Sequence, residues 1–298
     1  NRLLIKGLRA NGCEVFECHT SFWKGEDDRV QAASGKWFRP SFFLRVLRAY
    51  FTLWRQYKTI GEHDLIVVGY PGHFDIFFAK IFSWHKGKPL VWDILMSIYL
   101  LSVERGLDAK SPLTIKGLRF VERLAVILPD LLIIDTIQHQ KWWKDTYGID
   151  GRRLKVVPIG ADQKMAGREF GSVQHMNHFH VVYYGTYIPN HGLEYIIQAV
   201  RLLAEDSSIQ FEFIGKGPKR AETENLAQYY NLKNIRFLDW LEPPQLFQHI
   251  ARADICLGAF GMTQMSLMTI QNKIFEAMSL CLPVVTGECR QTPGLQPR

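Results

Sequence analysis

An alternation of period along almost the whole chain constrains the fold more than any other feature. Short runs rich in β-branched and aromatic residues recur at Glu14–Cys18, Asp64–Val68, Pro89–Ile94, Leu131–Asp135 and Lys155–Pro158. Between them the period turns helical, around Pro40–Lys58, His73–His85, Pro112–Leu128 and Gln138–Tyr147. The second half repeats the scheme, with strands expected at His180–Tyr184, Gln210–Ile214, Ile235–Phe237, Ile255–Leu257 and Pro283–Val285. Its helices are expected around Leu193–Ala204, Lys219–Tyr230, Pro244–Ala251 and Thr269–Leu280. Strands separated by helices close into parallel sheets through crossover connections, so the fold class is α/β. A chain of 298 residues can bury two cores. The stretch from Gly160 to Asn177 is polar and weakly periodic, as a hinge would be. The pattern therefore predicts one domain over 1–165, a hinge over 166–178 and a second domain over 179–298. Each would be doubly wound and Rossmann-like, the two facing across a cleft, with ligands at the carboxyl ends of the strands. Both ends look cut: the segment Asn1–Ala10 reads as the tail of a helix with no strand before it. The other end breaks off from Gln291, just after a core-like strand, leaving the second domain incomplete.

Composition narrows the class further. Hydrophobic residues make up 47% and charged residues 22%, ordinary values for a globular protein. No apolar run reaches the roughly 18 residues of a membrane-spanning helix, and the best attempt, Pro89 to Leu101, is interrupted by Asp93. The five cysteines, Cys13, Cys18, Cys256, Cys281 and Cys289, form no CxxC pair. Several lie in apolar runs, where buried free thiols are expected, and the set suits a reducing, cytoplasmic setting. His175, His178 and His180 have no carboxylate or cysteine at ligand spacing and read as polar linker, so no metal site is expected.

The net charge of +7 comes from one segment. Between Arg29 and Gly61 there are seven basic residues and no acidic one; the rest of the chain carries 29 basic against 29 acidic residues. Taken as a helix from Arg39 to Lys58, Arg45, Arg48, Arg55 and Lys58 share an arc with Thr52 and Gln56. Phe42, Phe43, Val46, Leu47, Tyr50, Leu53, Trp54 and Tyr57 lie opposite. Such a helix can rest on anionic lipid through Lys36–Lys58, or pack its apolar side on a sheet and leave the basic side solvated; the two are compatible. A nucleic-acid partner is not expected, since no recognition motif accompanies the patch.

Three segments carry candidate chemistry. In Gln271-Asn272-Lys273-Ile274-Phe275-Glu276-Ala277-Met278, at about 100° per residue, Asn272, Lys273 and Glu276 lie close together on an otherwise apolar helix. A carboxylate there needs donors, and a sugar diol or a salt bridge with Lys273 would each supply them. In Tyr184-Gly185-Thr186-Tyr187-Ile188-Pro189-Asn190-His191-Gly192, a strand runs into a glycine turn and a helix start, a plausible diphosphate cradle. His191 could donate to phosphate and gain charge at mildly acid pH. Gly215-Lys216-Gly217-Pro218 offers a second close-approach turn with a cation, or simply a strand-to-helix turn. In the first half, Asp93 ends the strand Leu90-Val91-Trp92-Asp93, and His73 follows the strand end Val68-Gly69. Either could face an acceptor or cap a helix. Glu104-Arg105 reads as a surface pair.

Taken in order, these segments resemble the large family-four group of retaining glycosyltransferases with the two-domain GT-B fold. Glu276-Ala277-Met278 and Pro283-Val284-Val285 match the donor-site helix and following strand, and Gln271-Asn272-Lys273 looks like a Pro-Asn-Lys variant. Gly185 and Gly215-Lys216-Gly217-Pro218 match its glycine turns. Asp239-Trp240-Leu241 and Ala253-Asp254-Ile255 fall at its base-contacting loop and next strand, and Val157-Pro158-Ile159-Gly160-Ala161-Asp162 at its interdomain turn. Three positions depart from it: Met268 stands where the family has its first Glu, and Thr186 and His191 stand where it often has Arg and Lys.

The resemblance implies a GT-B enzyme, hexosyltransferase-like, that moves a sugar from a nucleoside-diphosphate sugar to a glycan, glycolipid or polysaccharide acceptor with retention. It implies no required metal or other cofactor. Glu276 would orient the ribose and take part in catalysis. Gly185, Thr186, His191, Gly215, Lys216, Gly217, Trp240, Asn272 and Lys273 would line the donor site. His73 and Asp93 would face the acceptor, Asp93 also contacting the transferring sugar. The three departures leave open a non-catalytic binding protein on the same scaffold, and a nucleotide-sugar epimerase shares the fold.

Overall fold

The computed structural model describes residues 2–20, 40–161 and 178–287. Lys36, Arg39, Asp162, the hinge over 166–177, His175, Cys289 and the end from Gln291 lie outside the described residues. The chain divides into two compact units, residues 1–66 and 67–298.

In the first unit, α1 (Arg2–Ala10) ends at Asn11-Gly12, where Gly12 turns with φ +80°. Residues 13–20 form no strand, contrary to the expectation for Glu14–Cys18. No ladder satisfies their backbone there; the Val15 carbonyl accepts from the Arg9 guanidinium at 2.9 Å and the His19 carbonyl from the Gln56 side-chain amide at 3.2 Å. Helix α2 (Pro40–Thr59) runs over the basic stretch. Its Val46, Tyr50, Leu53, Trp54 and Tyr57 are half-buried, as the pattern requires. Leu47, expected among them, is exposed with Leu44 and Phe51, beside Arg48, Arg55 and Lys58; Arg45 is half-buried. Among the described residues no helix is long and apolar enough to cross a membrane.

The second unit holds most of both sheets. The first has the order β1-β2-β3-β4, from Ile66–Val68, Leu90–Asp93, Leu131–Ile134 and Leu154–Val156; β2, β3 and β4 run parallel. Helix α3 (Asp75–Lys86) lies between β1 and β2. Helices α4 (Ile98–Glu104), α5 (Leu107–Lys110) and α6 (Pro112–Ala125) link β2 to β3, and α7 (Ile137–Tyr147) links β3 to β4. The short α4 and α5 were hidden in the sequence because neither is long enough to establish a period. Ser97 caps α4 by accepting from the Leu100 amide, and Thr136 caps α7 by accepting from the His139 amide.

The second sheet is parallel throughout, in the order β7-β6-β5-β8-β9. Its strands are Ile235–Leu238, Ile209–Ile214, Phe179–Tyr184, Ile255–Leu257 and Val284–Val285. Period-two alternation along β5 sends Val181 and Tyr183 to one core and Val182 and Tyr184 to the other. The first core takes Leu193, Ile196, Ile197 and Val200 of α8 (Leu193–Leu202) and Ala227 of α9 (Arg220–Tyr229). The second takes Ile250 of α10 (Pro243–Ala251) and Ala277 of α12 (Asn272–Ser279). Helices on both faces make this sheet doubly wound. The order reverses at β5, so the crevice between the carboxyl ends of β5 and β8 is its topological switch point.

Of the cysteines described, only Cys256 is buried; Cys13, Cys18 and Cys281 are exposed, against the expectation of several buried thiols. All three lie at or beyond the ends of their elements, where the chain has left the core.

Candidate nucleotide-sugar site

Next to the switch point, at the carboxyl ends of β5 and β6, the backbone is packed to contact. A Cβ on Gly215 would overlap the Gly185 carbonyl oxygen, and one on Gly217 would lie 2.6 Å from the Tyr187 nitrogen. Both glycines, like Gly185, have φ between +130° and +154°, open only to glycine without strain. The loops after β5 and β6 are then pinned together. The Tyr187 amide donates to the Lys216 carbonyl at 3.0 Å, and the Arg220 guanidinium donates to the Gly215 and Leu238 carbonyls, each at 2.7 Å. On the other side, the Phe260 amide donates to the His191 carbonyl at 2.9 Å and Ser266 Oγ to the Asn190 carbonyl at 2.7 Å.

Helix α12 brings Lys273 to this backbone and Glu276 to the side chain of Tyr184. Glu276 is half-buried, and Tyr184 Oη donates to its Oε2 at 2.9 Å while also lying 3.0 Å from the Lys273 carbonyl. The Tyr184 phenol is held far above its ordinary range, first by burial and then by Glu276, so it stays a donor. Sequence reasoning missed Tyr184: it and Glu276 are 92 positions apart and meet only through the packing of α12 on β5. The Lys273 ammonium is buried without a hydrogen-bond partner. It lies 4.1 Å from the Tyr183 ring centroid, and a Cβ at Gly185 would be 3.1 Å from its Nζ. Burial lowers its pKa to about 7, opposed by Cys256 and Glu276. A buried ammonium over an aromatic face is partly compensated by cation–π attraction.

His191 does not gain charge at mildly acid pH. It is 7% exposed, its Nδ1 lies 2.7 Å from Tyr183 Oη, and burial, with Lys273 next, pushes its pKa to about 2. Thr186, Lys216 and Asn272 are exposed around the same turns, as is Trp240 beyond β7. Met268 ends the short helix α11 (Gln264–Met268) and lies in an apolar cluster with Leu100 and Met265. A carboxylate there would lose this contact, which gives Met268 a packing role. Its carbonyl accepts from Thr136 Oγ1 at 2.8 Å, and the Met265 amide donates to Glu104 Oε1 at 2.8 Å. Glu104 is therefore no plain surface pair: it and Thr136 join the two sheets' elements.

At the carboxyl ends of the first sheet, Asp93 is half-buried, and burial, with Asp135 adding to it, raises its pKa. Asp135 and His139, one turn apart, form a buried pair at 2.6 Å. His73 caps nothing: Phe74 holds the cap position of α3. His73 is 2% exposed, edge-on to Trp92 at 4.9 Å between ring centroids, with Nε2 3.4 Å from Glu122 Oε1. The structure thus puts His73 in the core and leaves Asp93 as the sequence-predicted group at that end. Among the described residues no group of three or more His, Cys, Asp or Glu is arranged to hold a metal ion.

Two sheets of parallel strands with helices between them, the second sheet doubly wound with glycine turns at its carboxyl edge, fit the GT-B class, and comparison with solved structures agrees. Sucrose-phosphate synthase from Thermosynechococcus elongatus superposes with a TM-score of 0.60 at 17% identity, over 84% of this chain and 61% of that one. HepE from Anabaena, in complex with UDP, gives 0.58 at 17% identity over 74% and 59%. An E. coli protein described as trehalose-6-phosphate, bound with UDP-2-fluoro glucose, gives 0.59 at 14% over 84% and 64%. The chain thus spans about three fifths of these relatives' length. Residues 178–296 match the family described as glycosyl transferases group 1. The curated proteins yield no match.

Proposed function

We propose that the protein is a glycosyltransferase that moves a sugar from a nucleoside-diphosphate sugar to a lipid-linked or polysaccharide acceptor, with retention of configuration. The observation that carries this is α12, whose Glu276 carboxylate is fixed by Tyr184, the residue before the Gly185 turn, and whose Lys273 ammonium reaches Gly185 itself. A carboxylate so held has a second oxygen free to accept from a ribose diol. The turns let a diphosphate approach the backbone, and Lys216 and Lys273 would offset its charge as it departs. Thr186, His191, Gly217, Asn272 and Trp240 complete the donor side in this reading, His191 as a neutral group. Asp93, protonated more readily than an ordinary carboxylate, suits a contact to the transferring sugar or the acceptor hydroxyl. UDP and UDP-glucose, held by HepE from Anabaena, are the first ligands to try. The domain boundaries proposed are 1–165 and 179–298, with a hinge between. The basic stretch Lys36–Lys58 would rest on an anionic membrane, making the protein peripheral on its cytoplasmic face.

A second reading, a nucleotide-sugar binding protein without turnover, is favoured by Met268 packing among apolar side chains and by His191 being uncharged. One experiment separates them: transfer or hydrolysis of UDP-glucose and other donors by a chain with complete ends, against Glu276→Ala and Asp93→Asn. Glu276→Ala removes a charge-assisted contact of about 1.5–3 kcal/mol, so donor affinity should fall about ten- to a hundredfold. Asp93→Asn should lower turnover and leave donor affinity alone. Unchanged activity in Glu276→Ala would sink the role given to it, and donor binding without any turnover would favour the second reading.

A further inference from the structure

Helix α6 carries apolar residues on two sides. Its core-facing side holds Ile115, Glu122 and Ala125, buried, with Leu118 and Val121 half-buried beside them. On the opposite side Leu113 is 82% exposed, Phe120 62% and Leu124 40%, with Ile127 at 60% just past the helix end. At 100° per residue these four fall within about 60° of arc, centred opposite the buried positions. They form one stripe, not scattered exposures.

Charge is arranged around the stripe with equal regularity. Lys116, Arg119 and Arg123 are exposed along one flank. The only acid of the helix, Glu122, is fully buried, where it accepts from Ser97 Oγ at 2.7 Å, the Ile98 amide at 2.8 Å and Tyr147 Oη at 2.6 Å. Its charge is taken up inside the fold by the start of α4. The outer face of α6 is therefore apolar and purely basic. This is the arrangement of a helix that lies in a lipid interface, with Phe and Leu among the acyl chains and Lys and Arg reaching the headgroups.

We propose that α6 is a membrane-docking surface that takes an anionic phospholipid bilayer. The basic flank selects this occupant. A second copy of the chain meeting this face about a two-fold axis would set Lys116, Arg119 and Arg123 against their own copies, with no exposed acid on either helix to compensate. The surface stands independently of the basic stretch in α2, which belongs to the other compact unit, and of any activity at the donor site.

The test is flotation of the whole chain with phosphatidylcholine vesicles, with and without phosphatidylglycerol. The variants are Phe120→Glu/Leu124→Glu, Lys116→Glu/Arg123→Glu, Arg48→Glu/Arg55→Glu and, as a control on the second sheet, Leu202→Glu, 85% exposed. Wild-type protein and Leu202→Glu should float with the anionic vesicles, less so as salt rises. Each α6 variant should lose at least tenfold in binding while keeping a wild-type circular dichroism spectrum and a cooperative thermal melt. Binding by both α6 variants equal to wild type would overturn the proposal, and loss only in Arg48→Glu/Arg55→Glu would assign contact to α2 alone. Failure of wild type to float, with self-association that Phe120→Glu/Leu124→Glu abolishes, would overturn it in favour of a dimer face.

Discussion

The carboxyl ends of the two sheets are built on opposite principles. In the second sheet the crevice is made of backbone: Gly185, Gly215 and Gly217 let two loops touch, and a few side chains from α12 are brought to them. In the first sheet polar side chains are paired inside the fold, although His73 Nδ1 and Nε2, Asp135 Oδ2 and His139 Nε2 are buried without a hydrogen-bond partner. Glu122 is surrounded by donors from Ser97, Ile98 and Tyr147, His73 lies against it, and Asp135 is paired with His139. Glycine contacts fix the separation of two loops by excluded volume, independent of protonation. Networks of buried polar groups fix elements instead, and they leave Asp93 as the predicted residue still half-exposed there. One end is thus held by close backbone contact, and the other by paired side chains beneath it.

The largest effect that would break this contrast is expected from glycine. Gly215→Ala forces overlap with the Gly185 carbonyl at a φ of +130°, and the strain should lower stability by about 3 kcal/mol. For a chain of this size that is a fall of about 6–12 °C in the thermal midpoint. Gly117→Ala on α6 meets no atom within 4 Å and should raise the midpoint slightly, through helix propensity. Equal effects from the two would mean that the crevice is not contact-limited.

Next comes Lys273. With its pKa near 7 it is charged below that pH and neutral above it. A diphosphate favours the charged form, so donor affinity should weaken as pH rises through about 7. Ligand-free stability should run the other way. The unfolded chain keeps the proton up to the ordinary lysine range, so from about pH 7 to about pH 10 it binds more protons than the folded one, and stability increases with pH. Lys273→Met should remove both trends and weaken donor binding about tenfold. Calorimetric titration with UDP at several pH values reads the first trend, and thermal melts without ligand read the second. A pH-independent affinity in the wild type would withdraw Lys273 from the diphosphate.

The smallest expected effect lies where the two ends meet. Thr136→Val deletes both the hydrogen bond to the Met268 carbonyl and the cap of α7 and should lower stability by about 1–2 kcal/mol, seen in chemical denaturation, with donor affinity unchanged. A change in donor affinity as large as that of Glu276→Ala would show that α11 couples the sheets to the donor site, and that the two ends are less separate than described.

Much of the second sheet was open to sequence reading because its rules are local. The period-two run Phe179–Tyr184, the glycines after β5 and β6, and the apolar helix carrying Glu276 each declare themselves within a dozen residues. The first sheet was less open. The short α4 and α5 hold too few turns to show a period, and Glu14–Cys18 has strand composition without a ladder. What a chain of this sequence determined by itself was the order of strands and helices, the backbone positions only glycine can hold, and the identity of the groups that can carry charge. Tertiary structure decided which of those charges are usable. It buried Glu122 and His73, neutralised His191, gave Glu276 a tyrosine 92 positions away, and turned Leu113, Phe120 and Leu124 outward. The reason is physical: spacing along the chain sets which face a residue takes, but desolvation and hydrogen-bond partners come from whatever element packs against that face.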